Sequence, residues 1–268
     1  MTIDTVKIHE IEDPAYSIII PVRNRCGHML RNCLKSVELQ TLQPLEIIVV
    51  DYGSTEENHE KLIQLLPDCT IYRHETSEPW SLAVARNIGL RRATARISCA
   101  FDADLIMEPR VLEVAHGIHN THPRIYMSSR VELIDPAALE PANLSLPRDY
   151  EKIFKARSSY TSEGWGGFVS APTKWWYESQ GFDERMKIWG WEDVDMWKRS
   201  ARAGMFRRRL DKDREKKTTI YHLHHTSIPL TALKTDDKET LGLMTQNERW
   251  TKGFNRIKRN DENWGMWR

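Results

Sequence analysis

Three clusters in this chain of 268 residues have the residue types and spacing for chemistry. The first is Asp102-Ala103-Asp104, which closes the apolar run RISCAFDAD. Residues i and i+2 of an extended segment point the same way. Two carboxylates so placed repel unless a cation lies near them, and Mg²⁺ or Mn²⁺ takes such oxygen ligands. In isolation the motif reads first as a turn with solvated acids; after a fourth parallel strand it reads as a site. The second cluster is His222-Leu223-His224-His225. His222 and His224 share a face, either as ordinary polar residues at a strand end or as imidazoles of a mixed Asp/His metal site. Imidazole suits Mn²⁺ or Zn²⁺ better than Ca²⁺. The third is IWGWEDVDMW, in which Glu192, Asp193 and Asp195 stand among Trp189, Trp191 and Trp197. Carboxylates among large apolar rings are costly unless paired, bound or neutral. Matching a helix dipole stabilises about 0.3–1 kcal/mol per acid, which accounts for one or two of the acids and not for the tryptophans. Aromatic faces also stack on sugars, and a carboxylate beside them can take a proton from a sugar hydroxyl. A fourth feature is Arg86-Asn87, polar in a helical stretch otherwise of Ala, Val, Ile and Leu. It is either a surface arginine or a guanidinium bonded to an anionic ligand or to an acid of the site.

These groups need a frame. YSIIIPV (16–22), LEIIVVD (45–51), TIYRH (70–74) and RISCAFDAD (96–104) read as buried strands. Helical patterns lie between them, over LRNCLKSVELQ, about 56–66, and SLAVARNIGLRRA (81–93). Strands alternating with helices give a mainly parallel sheet covered on both faces. Ligands of such sheets bind at the carboxyl ends of strands, near a switch in strand order. Asp51, Asp102 and Asp104 fall at such ends.

The second half is less regular. IYMSSRVELI (125–134) reads as one strand, the proline-bearing stretch 135–150 as a surface loop, and the loop 135–163 that contains it as a candidate lid. GWGGFVSAP (164–172) leads into a strand. TKWWYESQG reads as a short helix capped by Thr173 and stopped by Gly181, and WEDVDMWKRSARAG as a helix ended by Gly204. TTIYHLHH (218–225) is a late strand, and the tail from Asp236 is helical, then basic and aromatic. The run RRRLDKDREKK (207–217) reads first as a solvated hairpin, with contact to an anionic acceptor or a membrane surface as the alternative. The expected division of a single domain is 1–15 as an N-terminal extension, 16–104 and 105–230 as two functional halves, and 231–268 as a helical tail.

Bulk properties set bounds. A hydrophobic fraction of 40% and a charged fraction of 29% fit a globular chain with a sizeable core. A net charge of +1 gives no global field that argues for nucleic acid. Of the 10 tryptophans, most lie from position 165 onward, which suggests an aromatic-lined cleft. No apolar run reaches about 18 residues, so no transmembrane helix is expected, and the polar N-terminus lacks a signal-peptide profile. The 4 cysteines lack CxxC spacing and read as free thiols, which suits a cytoplasmic location.

In this order, SIIIPVRN, EIIVVDYGST, ARNIGL, AFDADL and WGWEDVD resemble the GT-A glycosyltransferases. The N-terminal part is similar to the inverting family 2. GWGGFVS…GFDERMKIWGWEDVDMWKR resembles the segment shared by β-1,4-galactosyltransferases, polypeptide N-acetylgalactosaminyltransferases and bacterial chondroitin-type polymerases. The resemblance implies an α/β fold, Rossmann-like, with a mixed sheet flanked by helices. It implies that Pro21 and Arg23 lie against the nucleotide and that Asp51 bonds the base. Asp102 would face the ribose or the metal, and Asp104 would bind Mn²⁺ or Mg²⁺ bridging the donor diphosphate. His222, or failing it His224, would complete the metal site. Asp193 would be the acceptor base and Glu192 would hold sugar hydroxyls, with Trp165 and Trp191 as walls of the sugar pocket or as packing. Asp195 reads as a supporting acid and Trp197 as a core residue. The family often has a second acid where this chain has Tyr52, which leaves the nucleotide open.

The implied reaction is transfer of a sugar from a nucleotide sugar, most readily a UDP-sugar, to a hydroxyl of a glycan or small acceptor, with inversion. A retaining transferase of the same fold, a metal-dependent phosphohydrolase using the Asp and His clusters, and a non-catalytic glycan-binding domain are the alternatives. The sequence says nothing of oligomeric state.

Overall fold

The computed structural model describes residues 16–66, 69–135, 137–161, 165–212, 218–223, 238–252 and 256–266. The first half alternates as expected: β1 (Tyr16–Val22), α1 (His28–Glu38), β2 (Glu46–Tyr52), α2 (Glu56–Leu65), β3 (Thr70–His74), α3 (Leu82–Leu90) and β4 (Ile97–Phe101). Then come β5 (Leu105–Met107), α4 (Val111–His119), β6 (Ile125–Ser129), β7 (Glu132–Ile134), α5 (Tyr150–Lys155), β8 (Arg157–Thr161) and β9 (Phe168–Pro172). The rest is α6 (Thr173–Ser179), α7 (Glu192–Arg202), β10 (Phe206–Arg209), β11 (Ile220–His222) and α8 (Lys238–Thr251).

Seven strands form the central sheet in the order β10-β6-β9-β4-β1-β2-β3. β1 pairs in parallel with both β2 and β4, so strand order switches direction beside β1. β9 runs antiparallel to both its neighbours, which makes the sheet mixed. Every residue of β1 is buried. Ile18 and Ile20 enter a core with Leu30 and Leu34 of α1 and Val111 and Leu112 of α4. Ile19, between them, enters the opposite core with Ala85 and Ile88 of α3, Trp176 of α6 and Met196 of α7. This is the alternation of a strand buried on both faces. Gly89 lets α3 lie close on it, since a Cβ there would come within 2.4 Å of Ile19.

A second sheet, in the order β5-β11-β7-β8, flanks the carboxyl ends of the first. β11 pairs antiparallel with β5 so that His222 stands opposite Leu105. Leu223 N–H then bonds the Asp104 carbonyl at 2.9 Å.

Four sequence expectations change. The segment 125–134 is two strands in different sheets, because the chain turns at Arg130-Val131. The stretch 135–163 is no open loop: α5 and β8 lie within it, and Ile153 packs with Ile106 and Tyr221. Residues 207–209 belong to β10, a parallel edge strand, and not to a hairpin; 213–217 lie outside the described residues. Thr173 is the first residue of α6 and makes no cap; its hydroxyl bonds the Ala95 carbonyl at 2.5 Å instead. α6 does stop at a left-handed pair, Gln180 (φ 57°) and Gly181 (φ 66°), and Gly204 (φ 70°) follows α7. All four cysteines are free. Among the described residues no helix is long and apolar enough to cross a membrane.

Candidate active site

Asp102 follows β4 directly, at the switch beside β1. Its N–H bonds the Gly167 carbonyl at 3.0 Å, so the strand end is fixed against the lead into β9. Its Oδ1 accepts from Arg86 Nη2 at 2.7 Å. That guanidinium is fully buried. The same Nη2 donates to the Gly166 carbonyl at 2.7 Å, and Nη1 lies 3.5 Å from Glu192 Oε1. Arg86 therefore ties the strand-end acid to the first turn of α7. Burial raises the Asp102 carboxyl above its ordinary range, opposed by Arg86 and reinforced by Asp104.

Asp104 is almost buried. One of its oxygens is ion-paired with Arg25, and the other lies 3.7 Å from His222 Nε2. That separation is shorter than two coordination bonds of about 2.1 Å laid end to end, so one cation reaches both. Among the described residues no group of three or more His, Cys, Asp or Glu side chains is placed to hold a metal ion. A Mg²⁺-like ion is commonly held by one or two carboxylates plus substrate phosphates, and the pair Asp104 and His222 is compatible with that mode. His224 lies outside the described residues.

α7 opens with three acids, Glu192, Asp193 and Asp195. Asp193 Oδ2 accepts from Trp165 N–H at 3.3 Å and Oδ1 from Val194 N–H at 2.7 Å. Gly166 lies against it: a Cβ there would stand 3.0 Å from that of Asp193. Glu192 is buried, its Oε2 has no hydrogen-bond partner, and burial followed by the Asp193 charge raises its carboxyl to about 7. Asp195 points elsewhere, into a buried ion-pair set with Arg199 (2.6 Å) and Arg259 (3.0 Å). Trp197, expected in the core, is only partly buried and packs against it, edge-on to Tyr126 and Trp165. Trp165 thus meets another ring, whereas Trp191 stays 37% exposed and holds a left-handed backbone, φ 74°.

The remaining expected residues sit nearer β1 and β2. Pro21 is buried in β1 opposite Val50. Arg23 Nη1 donates to the Glu78 carbonyl at 2.8 Å. Asp51 is fully buried; Ser54 N–H occupies one oxygen at 3.1 Å and His59 Nδ1 the other at 2.6 Å. His59 and Arg25 escaped the sequence reading. Arg25 could have been noticed in the RNR run, but a histidine eight positions past an aspartate carries no spacing signal. A cavity of about 260 Å³ between α1, the end of α2 and residues 144–146 contains none of these groups.

A Rossmann-like half with an Asp-x-Asp pair at its switch point, facing an acid-headed helix, defines the GT-A class of fold. The chain shares that fold with S. aureus TarS, solved in complex with UDP-GlcNAc, at a TM-score of 0.61 and 14% identity over 88% of this chain and 65% of that one. The family description "Glycosyl transferase family 2" matches residues 17–186, and the chain belongs to that family. A second, "N-terminal domain of galactosyltransferase", matches residues 151–226. An uncharacterized glycosyltransferase of Rickettsia conorii is 31% identical over 112 residues, 41% of this chain and 18% of that protein. The hyaluronan synthase of Pasteurella multocida is 26% identical over 73% of this chain and 24% of its own length. For the chondroitin synthase of Escherichia coli the figures are 23%, 73% and 33%. The chain thus spans a third or less of these relatives.

Proposed function

We propose that the chain transfers a sugar from a UDP-sugar to an acceptor hydroxyl with inversion, Asp193 acting as the base. The observation that carries this reading is the disposition of Asp193. It heads α7, is oriented by Trp165 N–H, and stands across the Arg86 bridge from the strand-end Asp102. The acceptor hydroxyl gives its proton to Asp193 as its oxygen bonds the donor's anomeric carbon. The bond from that carbon to the diphosphate breaks, and the nucleoside diphosphate leaves with the electron pair. Glu192, with one oxygen unpartnered, takes a sugar hydroxyl. Asp104 and His222, with Asp102 near them, would hold a divalent cation, whose chemistry would be to neutralise charge on the leaving diphosphate. Asp51 and Pro21, near the carboxyl ends of β2 and β1, and Arg23 just past β1 would lie against the nucleotide, with 16–104 serving the donor and 105–230 the acceptor.

The test is Asp193→Asn, assayed with Mn²⁺ and a panel of nucleotide sugars. General-base loss costs about 10²–10⁴-fold in rate. A folded variant that transfers at the wild-type rate removes Asp193 from the role, and the anomeric configuration of the product checks inversion.

A further inference from the structure

Asp193 and Trp197 stand four residues apart in α7, one above the other on one face. Trp165 meets the Trp197 ring edge-on, with centroids 5.4 Å apart. Two guanidinium groups of the edge strand β10 cover these rings: Arg207 lies over Trp197 at 4.7 Å and Arg209 over Trp165 at 4.8 Å. Residues 207 and 209 share one face because side chains alternate along a strand. The edge strand thus lays a row of positive charge beside Asp193. Arg130 continues that face in register, two residues past Ser128, which stands opposite Arg209; its backbone N–H bonds Asp211 Oδ1 at 3.1 Å, the acid that also pairs with Arg209.

Among the described residues Arg209 alone of the row has an acid partner. Asp211 answers Arg209, at 3.0 Å from its Nε. Arg207 is exposed, and neither it nor Arg130 has an ion pair among the described residues. Arg130 Nε is buried with no hydrogen-bond partner. An orphaned buried donor is costly to maintain. A solvated charge run accounts for Arg208, exposed on the opposite face beside Phe206, but not for that donor or for two arginines matched to two tryptophans.

We infer that the acceptor is an anionic glycan whose carboxylate or phosphate group is met by Arg207 and Arg130, next to the hydroxyl that reacts at Asp193. Guanidinium forks bind both oxyanions bidentately. The inference rests on the reading of Asp193 as the acceptor base.

The test compares three probes: hexosamine–hexuronate oligosaccharides, the same oligosaccharides with carboxyls reduced to alcohols, and glycerol phosphate oligomers. Binding is measured by calorimetry, and transfer with donor and Mn²⁺. The wild type is expected to favour one anionic series over the neutral one by about tenfold or more, the preference shrinking with salt. Which series is favoured separates carboxylate from phosphate. Arg207→Gln and Arg130→Gln should bring the ratio near one, and the exposed Arg207 carries the test if the Arg130 variant does not fold. Equal binding of charged and neutral probes, or a preference that survives both substitutions, overturns the inference. So does an unchanged glycan preference in variants that lose binding to phosphatidylserine vesicles, which assigns the row to a membrane surface. Binding needs no turnover, so failure of transfer with every donor sinks the transferase reading separately.

Discussion

Arg86 is the residue on which the site converges. Its guanidinium is fully buried between an acid of the switch point and an acid of α7, and it lies 5.3 Å from the Phe182 ring centroid. Removing one partner of such a buried pair costs about 3–5 kcal/mol, because the other charges are left uncompensated. Arg86→Met should therefore lower the urea midpoint sharply. Arg86→Lys should recover part of the loss while failing to bridge both acids, since an ammonium has no planar fork. Glu192 makes the same cluster pH-sensitive. Its carboxyl is held at about 7 against an ordinary 4.5. Between those values the folded chain keeps a proton that the unfolded chain has released, so stability falls as pH rises through that window and levels off above it. Urea midpoints at pH 5 and pH 8 should differ in the wild type and draw together in Glu192→Gln. Identical differences in the two proteins would assign the dependence to other groups.

At the scale of elements, the loop before α7 is the strained part. Ile188 (φ 63°) and Trp191 (φ 74°) both adopt left-handed backbone, rare for bulky side chains, with Gly190 (φ 95°) between. Such a conformation costs about 1–3 kcal/mol per residue and persists only where its surroundings over-determine it. Here Asn247 of α8 does so. Its side chain accepts from Lys187 N–H at 3.1 Å and donates to the carbonyls of Lys187 (2.7 Å) and Gly190 (3.2 Å). The helical tail is thus a clamp on the loop that leads into α7. Asn247→Ala should reduce transfer more than it reduces donor binding. Trp191→Gly, which relieves the backbone, should stabilise the fold by about 1 kcal/mol yet raise KM for the sugar if the exposed ring is a wall of its pocket. An unchanged KM would leave the ring without that role. The sequence showed the acids and the tryptophans of this loop but not its conformation, because left-handed Trp191 is imposed by a contact from more than fifty residues away. The alternation of β1 to β4 was legible because each strand is an apolar run buried on both faces. β10 was not, since the strand FRRR is exposed along most of its length and reads as a charge run.

At the scale of the whole molecule, the C-terminal segment is part of the fold that carries the site. Residues 256–266 return to α3 and α7. Arg91 Nη1 donates to the carbonyls of Glu262 (2.7 Å) and Trp264 (2.6 Å), and Arg92 to that of Gly265 at 3.1 Å. Trp264 is 3% exposed within the core shared by α3, α6 and α7. Arg259 supplies the second partner of Asp195, whose first partner, Arg199, is itself buried and bonded to the carbonyls of Ser179 and Gly181. None of this was visible in a tail that reads as basic and aromatic, because what matters is which buried acid its arginine reaches. Removing residues 256–268 would strip a buried tryptophan and half of a buried ion-pair set in one step. The first loss is worth about 3–5 kcal/mol by analogy with large-to-small core changes. The second leaves the buried Asp195, two residues past Asp193, with Arg199 as its ion-pair partner. The truncated chain should therefore unfold at markedly lower urea, and Asp195→Asn in the full chain should also lower the midpoint, since it removes the charge with which both Arg199 and Arg259 pair. Arg259→Met separates the two effects. It keeps the tryptophan and should lose stability in proportion to the ion pair alone, with kcat falling no further than the loss of folded protein explains. A drop in kcat in protein that remains fully folded would show that the tail sets the position of Asp193 and not merely the stability of the helix beneath it.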